Sequence, residues 1–310
     1  MAAIVAEGLT KYYGKLLALD NLNLKIEKGH CVGFLGPNGA GKSTTIKILC
    51  NLIRPTSGKA YINNHDATKE STSALKNVGA LVETPEFYNY LTPLEVLEYL
   101  GKLRGMPKNE LKHQIHQVLE TVRLSEWKKT KIGKFSRGMK QRLGIAQSIL
   151  HDPPILIWDE PALGLDPRGM FEIREIIKAT VKKGKTVFLA SHMLHEVQET
   201  CDSVALIDKG KLLTYDRIEN LEKVFKIRKI DVELLTPIEP KCLSKIEKLK
   251  NVRTLLATEK NLTIGFEGSD ADQAELLETL VKDIGVRMIS FKPSLEALEG
   301  IYLQLVKEGN

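Results

Sequence analysis

The stretch "GPNGAGKS" (Gly36 to Ser43) limits what this chain can fold into more than any other feature of its sequence. It satisfies G-x-x-x-x-G-K-[ST] and stands where that pattern has a mechanism. The near-continuous apolar run "HCVGFLG" precedes it, and an apolar-periodic segment from about Lys42 to Ile53 follows. A buried strand that enters a glycine-rich loop and leaves as a helix lets backbone N–H groups converge on phosphate oxygens, with the helix N-terminus adding positive dipole. Gly36, Pro37, Asn38, Gly39, Ala40, Gly41, Lys42, Ser43 and the following Thr44 form this expected phosphate cradle. Lys42 would supply a point charge toward the β and γ phosphates of a nucleoside triphosphate, and Ser43 a hydroxyl for Mg2+.

The rest of the first two-thirds supports that placement. "IVAEGLTKYYG" and "ALDNLNLKIEKG" alternate like paired strands, and "GKAYINNHDA" reads as a further hairpin strand. Val78 to Val82 is a short apolar strand. From Thr92 to Leu150 the texture turns helical. Thr92-Pro93-Leu94-Glu95 has capping-box spacing with Pro at the first helical position, and Leu111, Ile115, Val118, Leu119 and Val122 make a helical stripe. "PILIWDE" and "KTVFLAS" are buried strands on either side of a helix near Phe171 to Val181. "HEVQETCD" fits a helix, and "SVALIDKGKLLT" a hairpin turning at Lys209-Gly210. Strands alternating with helices predict an α/β fold with a parallel sheet covered on both faces.

This unit is expected to occupy residues 1–220, with a small α+β accessory domain at 221–310. The second pattern is a strand (Ile230 to Leu235), a helix (Lys241 to Leu249) and two strands around Glu259-Lys260. A helix (Gln273 to Ile284), a strand (Val286 to Phe291) and a last helix from Ser294 complete it. The order resembles a split β-α-β sandwich and carries no motif chemistry.

Composition narrows the class. With 43% hydrophobic and 27% charged residues over 310 positions, the chain is expected to be globular and large enough for two domains. No apolar run is long enough to span a bilayer, and the N-terminus lacks the layout of a secretion signal. Cys31, Cys50, Cys201 and Cys242 are scattered, which favours reduced thiols over a disulfide framework or a zinc site. The net charge of +6 is uneven: Gly101 to Arg142 holds 12 Lys and Arg against 3 Glu. That surface either faces an anionic partner or is a solvated helical face.

A second motif completes the phosphate chemistry. In "ILIWDEP", Asp159 ends a buried strand, where a hard oxygen could reach a Mg2+ coordination shell. Glu160 follows as a candidate base for the attacking water.

"KFSRGMKQRLGIA" (Lys134 to Ala146) resembles the signature motif of ATP-binding-cassette (ABC) ATPases, with Phe135, Ser136, Arg137, Gly138 and Met139 at the motif positions. Arg137 and Met139 depart from the commonest pattern. Three further positions fit the same resemblance. Tyr13 matches the aromatic that stacks on adenine, "ALGLD" (Ala162 to Asp166) the loop that contacts the other subunit, and His192 in "LASH" the switch histidine. His113, His116 and His195 are expected to be surface or packing residues. The resemblance covers residues 1 to about 220. It implies head-to-tail dimers, a homodimer being expected, with each ATP between one subunit's Lys42 loop and the other's Ser136 helix. It also implies a separate integral membrane permease that itself contacts the exported molecule. The chain would then sit at the cytoplasmic face of the membrane through that permease.

The stretch "GALVETPEFYNYLTP" refines the branch. In the family this position carries a Gln that contacts Mg2+ and the attacking water; here it is Glu83, which resembles the acidic variant of bacitracin-resistance and lantibiotic self-protection exporters. A carboxylate is still a competent Mg2+ ligand. Phe87, Tyr88 and Tyr90, which follow it, either pack under the helical subdomain or form a docking groove for the membrane subunit. The expected function is therefore an ATPase subunit of an exporter of an antimicrobial peptide or similar amphiphile, with no direct nucleic-acid contact. The alternative is a soluble ABC ATPase acting on nucleic acid or ribosomes, but the chain carries neither a second ATPase domain nor a long coiled coil.

Overall fold

The computed structural model describes residues 2–225 and 227–294, and the chain divides into two compact units, Met1–Tyr215 and Asp216–Asn310. The expected division at residue 220 falls inside a short helix, Ile218–Phe225, that belongs to the second unit.

The first unit begins with β1 (Ala2–Tyr13) and β2 (Leu16–Glu27), whose alternating burial follows their alternating sequence. They pair antiparallel, with Val5 opposite Lys25, and β4 (Ser57–Ile62) and β5 (His65–Asp66) extend the sheet in the order β2-β1-β4-β5. Asn63 and Asn64 turn the β4–β5 hairpin with φ of 49° and 67°, the left-handed pair a two-residue hairpin loop requires. Between these pairs lie β3 (Cys31–Leu35) and α1 (Lys42–Leu49). The helix stops short of the expected Ile53. Asn51 takes φ 53°, and the N–H groups of Leu52 and Ile53 turn back to the Lys47 carbonyl.

A second sheet supports the catalytic motifs. With β6 (Val78–Leu81), β7 (Ile155–Asp159), β8 (Thr186–Ser191), β9 (Ser203–Asp208) and β10 (Lys211–Arg217), it has the order β10-β9-β3-β8-β7-β6. The pairs from β9 through β3, β8 and β7 to β6 are parallel. Every residue of β3, β7 and β8 is buried, as a strand covered on both faces demands. One apolar core joins this sheet to the antiparallel sheet and α1, with Phe34 and Phe188 rings 5.2 Å apart.

The other face is covered by helices. After α2 (Ser71–Leu75) come α3 (Pro93–Leu103), α4 (Lys108–Thr121), α5 (Arg137–Ile149), α6 (Pro167–Lys182) and α7 (Leu194–Thr200). The predicted capping box forms: Thr92 Oγ1 accepts from the Glu95 N–H at 3.3 Å, and Glu95 Oε2 accepts from the Thr92 N–H at 2.7 Å. The predicted stripe from Leu111 to Val122 is buried. Arg142, nearly buried, donates to the carbonyls of Val122 and Arg123 at 3.1 Å and pairs with Glu172 of α6 at 3.4 Å, tying three helices together.

The second unit holds α8 (Ile218–Phe225), β11 (Ile227–Leu234), α9 (Pro240–Ile246), β12 (Val252–Ala257), β13 (Asn261–Glu267), α10 (Asp270–Glu278) and β14 (Met288–Ser294). Its sheet runs β12-β13-β11-β14 with every pair antiparallel, so two β-α-β halves interleave around their own apolar core. Ser294 ends β14; the last helix expected from that point lies outside the described residues.

The fold brings two of the scattered cysteines together. Cys31 and Cys201 have Sγ atoms 3.4 Å apart. Their hydrogen bond, and then burial, push the Cys31 thiol well above its ordinary pKa, which holds it protonated and unreactive.

Candidate nucleotide site

The carboxyl ends of β3, β8 and β7 lie side by side in the sheet, and each passes a functional segment into the same crevice. β3 delivers the glycine loop, β7 delivers Asp159 and Glu160, and β8 delivers His192. A cavity of about 430 Å³ there is lined by Tyr13, Leu16, Pro37, Asn38, Gly39, Gly41, Lys42, Ser43, Thr44, Glu160, Leu163 and His192. Residues from four separate stretches of sequence thus share one concavity. Gly36 and Ala40 hold the loop from behind, where the Ala40 carbonyl accepts from the Gly210 N–H at 3.0 Å. Gly41 has φ 107°, and a Cβ there would stand 2.7 Å from the Ala18 carbonyl oxygen, so a side chain is excluded on both counts.

The charged groups are closely coupled. Lys42, only 6% exposed, donates from Nζ to the Gly36 carbonyl at 2.7 Å and the Pro37 carbonyl at 3.2 Å. The same Nζ lies 3.4 Å from Glu160 Oε1, while Glu160 Oε2 lies 2.8 Å from His192 Nδ1. One carboxylate therefore bridges the loop lysine and the histidine. Glu160 takes a left-handed backbone, φ 48°, pinned by its N–H bond to the Ala190 carbonyl at 3.0 Å. The Ser191 hydroxyl accepts from the Met193 N–H at 3.0 Å and sets the turn that carries His192.

Asp159 lies beneath the cavity at 5% exposure. Burial raises its pKa, a shift that a hydrogen bond from Ser43 and the charge of Lys42 oppose. Its Oδ1 is buried and has no hydrogen-bond partner. A buried, unpartnered carboxylate oxygen beside a serine hydroxyl is a donor set that suits a hard cation such as Mg2+.

The remaining predicted residues fall outside this cluster. Ser136 caps α5, its Oγ accepting from the Met139 N–H at 3.2 Å, and a Cβ on Gly138 would meet nothing closer than 3.8 Å. Asp166 caps α6 through the Gly169 N–H. Arg137, one of the two departures from the family motif, lays its guanidinium against Gly164, whose φ of 70° favours glycine. Glu83 does not line the cavity. It is 65% exposed, has φ 66°, and pairs with Lys47 of α1 at 2.5 Å. That hydrogen bond raises the Lys47 pKa. Sequence reading missed Lys47, although its place four residues after Ser43 puts it on the same helix face. The aromatic patch divides: Phe87 packs against the core, while Tyr88 and Tyr90 stack at 5.5 Å in solvent. His116 and His195 make only i,i+4 contacts with Glu120 and Glu199, His113 is exposed, and no group of three metal-ligating side chains occurs among the described residues.

Comparison with known proteins agrees with this geometry. Residues 19–163 match the family model described as ABC transporter. The chain is 37% identical to the bacitracin transport ATP-binding protein BcrA of Bacillus licheniformis over 302 residues, covering 97% of this chain and 96% of that one. It is 38% identical to the lantibiotic transport ATP-binding protein SrtF of Streptococcus pyogenes over 222 residues, covering 71% and 94%. Among solved structures, the dimeric post-hydrolysis state of an ATP-binding cassette bound to ADP and Pi matches with a TM-score of 0.62 at 26% identity, covering 69% of this chain and 98% of that one. The chain belongs to the ABC transporter family, as one of its ATP-binding, ATP-hydrolysing subunits. The transport reading therefore holds over the nucleic-acid alternative.

Proposed function

We propose that this chain powers a separate membrane permease that exports an antimicrobial peptide or similar amphiphile. The observation that carries the substrate class is near-full-length similarity to a bacitracin transport subunit, which includes the C-terminal unit as well as the cassette. Among the described residues no helix is long and apolar enough to cross a membrane, so the path for the exported molecule falls to the permease, which would hold this chain at the cytoplasmic face.

Each residue then has a task that its position supports. The Tyr13 ring, with Lys11 Nζ 5.1 Å from its centre, offers a face for adenine. Loop N–H groups and Lys42 bind the phosphates. Ser43 and Asp159 would hold Mg2+, which when bound neutralises phosphate charge. Glu160 orients and deprotonates the attacking water, and its bonds to Lys42 and His192 fix the carboxylate for that step. Ser136 and Gly138 at the start of α5 meet the γ-phosphate held by a second copy of the chain, and Asp166 fixes the adjoining loop. Two ATP molecules are thereby enclosed by a homodimer. Glu83 adds a carboxylate near the γ-phosphate when its loop closes on the site, and exposed Tyr88 and Tyr90 dock the permease. The basic helical segment lies toward the anionic leaflet.

Deleting the gene is expected to sensitise cells to bacitracin-like or lantibiotic peptides, with rescue by the wild-type chain but not by Glu160→Gln. Tagged chain recovered from detergent-solubilised membranes should bring one integral protein with it. Unchanged peptide sensitivity together with no membrane partner would reject the proposal.

A further inference from the structure

The pairing of Glu83 with Lys47 assigns a role to a residue outside the phosphate motifs. Lys47 lies one turn beyond Ser43 on α1, so an ion pair there holds the Glu83 carboxylate roughly 6 Å along the helix from the serine. The loop that leaves Glu83 is anchored again a few residues on. Pro85 packs over Gly144 of α5 so closely that a Cβ on that glycine would stand 2.7 Å from the proline ring. Beyond it, the carbonyls of Asn89 and Leu91 accept from the N–H groups of Gly133 and Ile132, at 2.9 and 2.8 Å, just before the signature helix begins. The segment thus runs from the phosphate-loop helix to the signature helix, and the Lys47–Glu83 pair is its fastening at the phosphate end.

We infer that Lys47 is a positioning residue that latches the Glu83 loop to α1, so that the carboxylate reaches the Ser43–Asp159 site only when it leaves the lysine. Charge balance gives the reason. Glu83 brings a negative charge toward a site that already holds Asp159, Glu160 and phosphate, and Lys47 offsets it while the loop is open. A neutral Gln at this position would need no such partner. The pair is 30% and 65% exposed, so the latch is weak enough for ligand binding to reverse it. The inference rests on the proposed closure of Glu83 on the nucleotide site and adds what opposes that closure.

The test is a double-mutant cycle on the full chain with Lys47→Met, Glu83→Gln and the pair of them, and with Lys47→Arg as the variant that keeps the latch. Without nucleotide, amide exchange over residues 83–92 should rise by about two- to fivefold in each single variant and no further in the double, with Lys47→Arg near wild type. The Mg2+ concentration that half-saturates ATP binding should fall by a similar factor in Lys47→Met, and the same substitution should do nothing in the Glu83→Gln background. Additive exchange effects, or an equal Mg2+ shift in both backgrounds, would overturn the latch. Non-additive exchange with an unchanged Mg2+ requirement would leave a structural tie and remove the positioning role. If Glu83→Gln alters neither Mg2+-dependent binding nor peptide resistance while the exchange cycle behaves as expected, closure of Glu83 on the site fails instead.

Discussion

Two sets of carboxylates flank the same phosphate loop, and they are built on opposite principles. Asp159 and Glu160 emerge from a fully buried strand, are 5% and 16% exposed, and are held by Ser43, Lys42 and His192. Glu83 emerges from the edge strand β6 into solvent, on a left-handed backbone, and meets one half-exposed lysine. Burial makes the first set costly to disturb, because removing either acid leaves groups in the interior without a carboxylate that they now face. Exposure makes the second cheap to move. A site that must hydrolyse ATP and also report that event elsewhere needs both kinds of acid.

The widest gap should appear in catalysis. Glu160→Gln is expected to lower turnover by about 10²- to 10⁴-fold while ATP still binds, measured by steady-state hydrolysis and nucleotide titration. Turnover within tenfold of wild type would place the base elsewhere. Next comes the partly buried ion pair that ties the signature helix to its neighbours. Arg142→Leu leaves Glu172 with only the exposed Arg168 and removes the donor to two carbonyls, and should cost about 1–2 kcal/mol of stability in urea unfolding. A loss near zero would mean that partial burial does not make an ion pair costly to break in this fold.

A half-buried base gives a pH-dependent version of the same contrast. His151 bonds the Val78 carbonyl at 3.2 Å, and burial pulls its pKa down to about 4. The unfolded chain therefore binds a proton that the folded one refuses. Stability from this group is complete above about pH 6.5 and is lost as pH falls through about 4, on the order of 2 kcal/mol in all. His151→Gln should flatten that part of the stability profile. Least affected should be the exposed pair, where Lys47→Met is expected to change global stability by less than about 0.5 kcal/mol.

How much of this was legible in the sequence follows the same division. Buried apolar strands ending in acids announce themselves, because a run such as "ILIWDE" has few other physical explanations; Asp159, Glu160 and the Lys42 loop could be placed without coordinates. The capping box at Thr92 and the turn at Lys209-Gly210 were equally local, and their geometry follows. Contacts set by tertiary packing were not legible. Lys47 meets Glu83 across three strands and a helix, Arg137 meets Gly164 through the join of two helices, and Cys31 meets Cys201 across 170 residues. α1 ends a few residues before its apolar periodicity does, because Asn51 adopts a left-handed backbone that periodicity does not encode. In the second unit the elements could be ordered, but no side-chain chemistry pointed to a task.

The central claim is that each ATP is shared between the Lys42 loop of one copy and the α5 N-terminus of another. Lys42→Ala disables the first half-site. Gly138→Asp should disable the second without harming the fold, since a Cβ there meets nothing closer than 3.8 Å and an acid is favourable in the first turn of a helix. ATP turnover by an equimolar mixture of the two inactive variants tests the sharing directly. Random pairing leaves one intact composite site in half of the dimers, so the mixture should regain roughly a quarter of wild-type turnover. A mixture no more active than either variant alone would contradict the account.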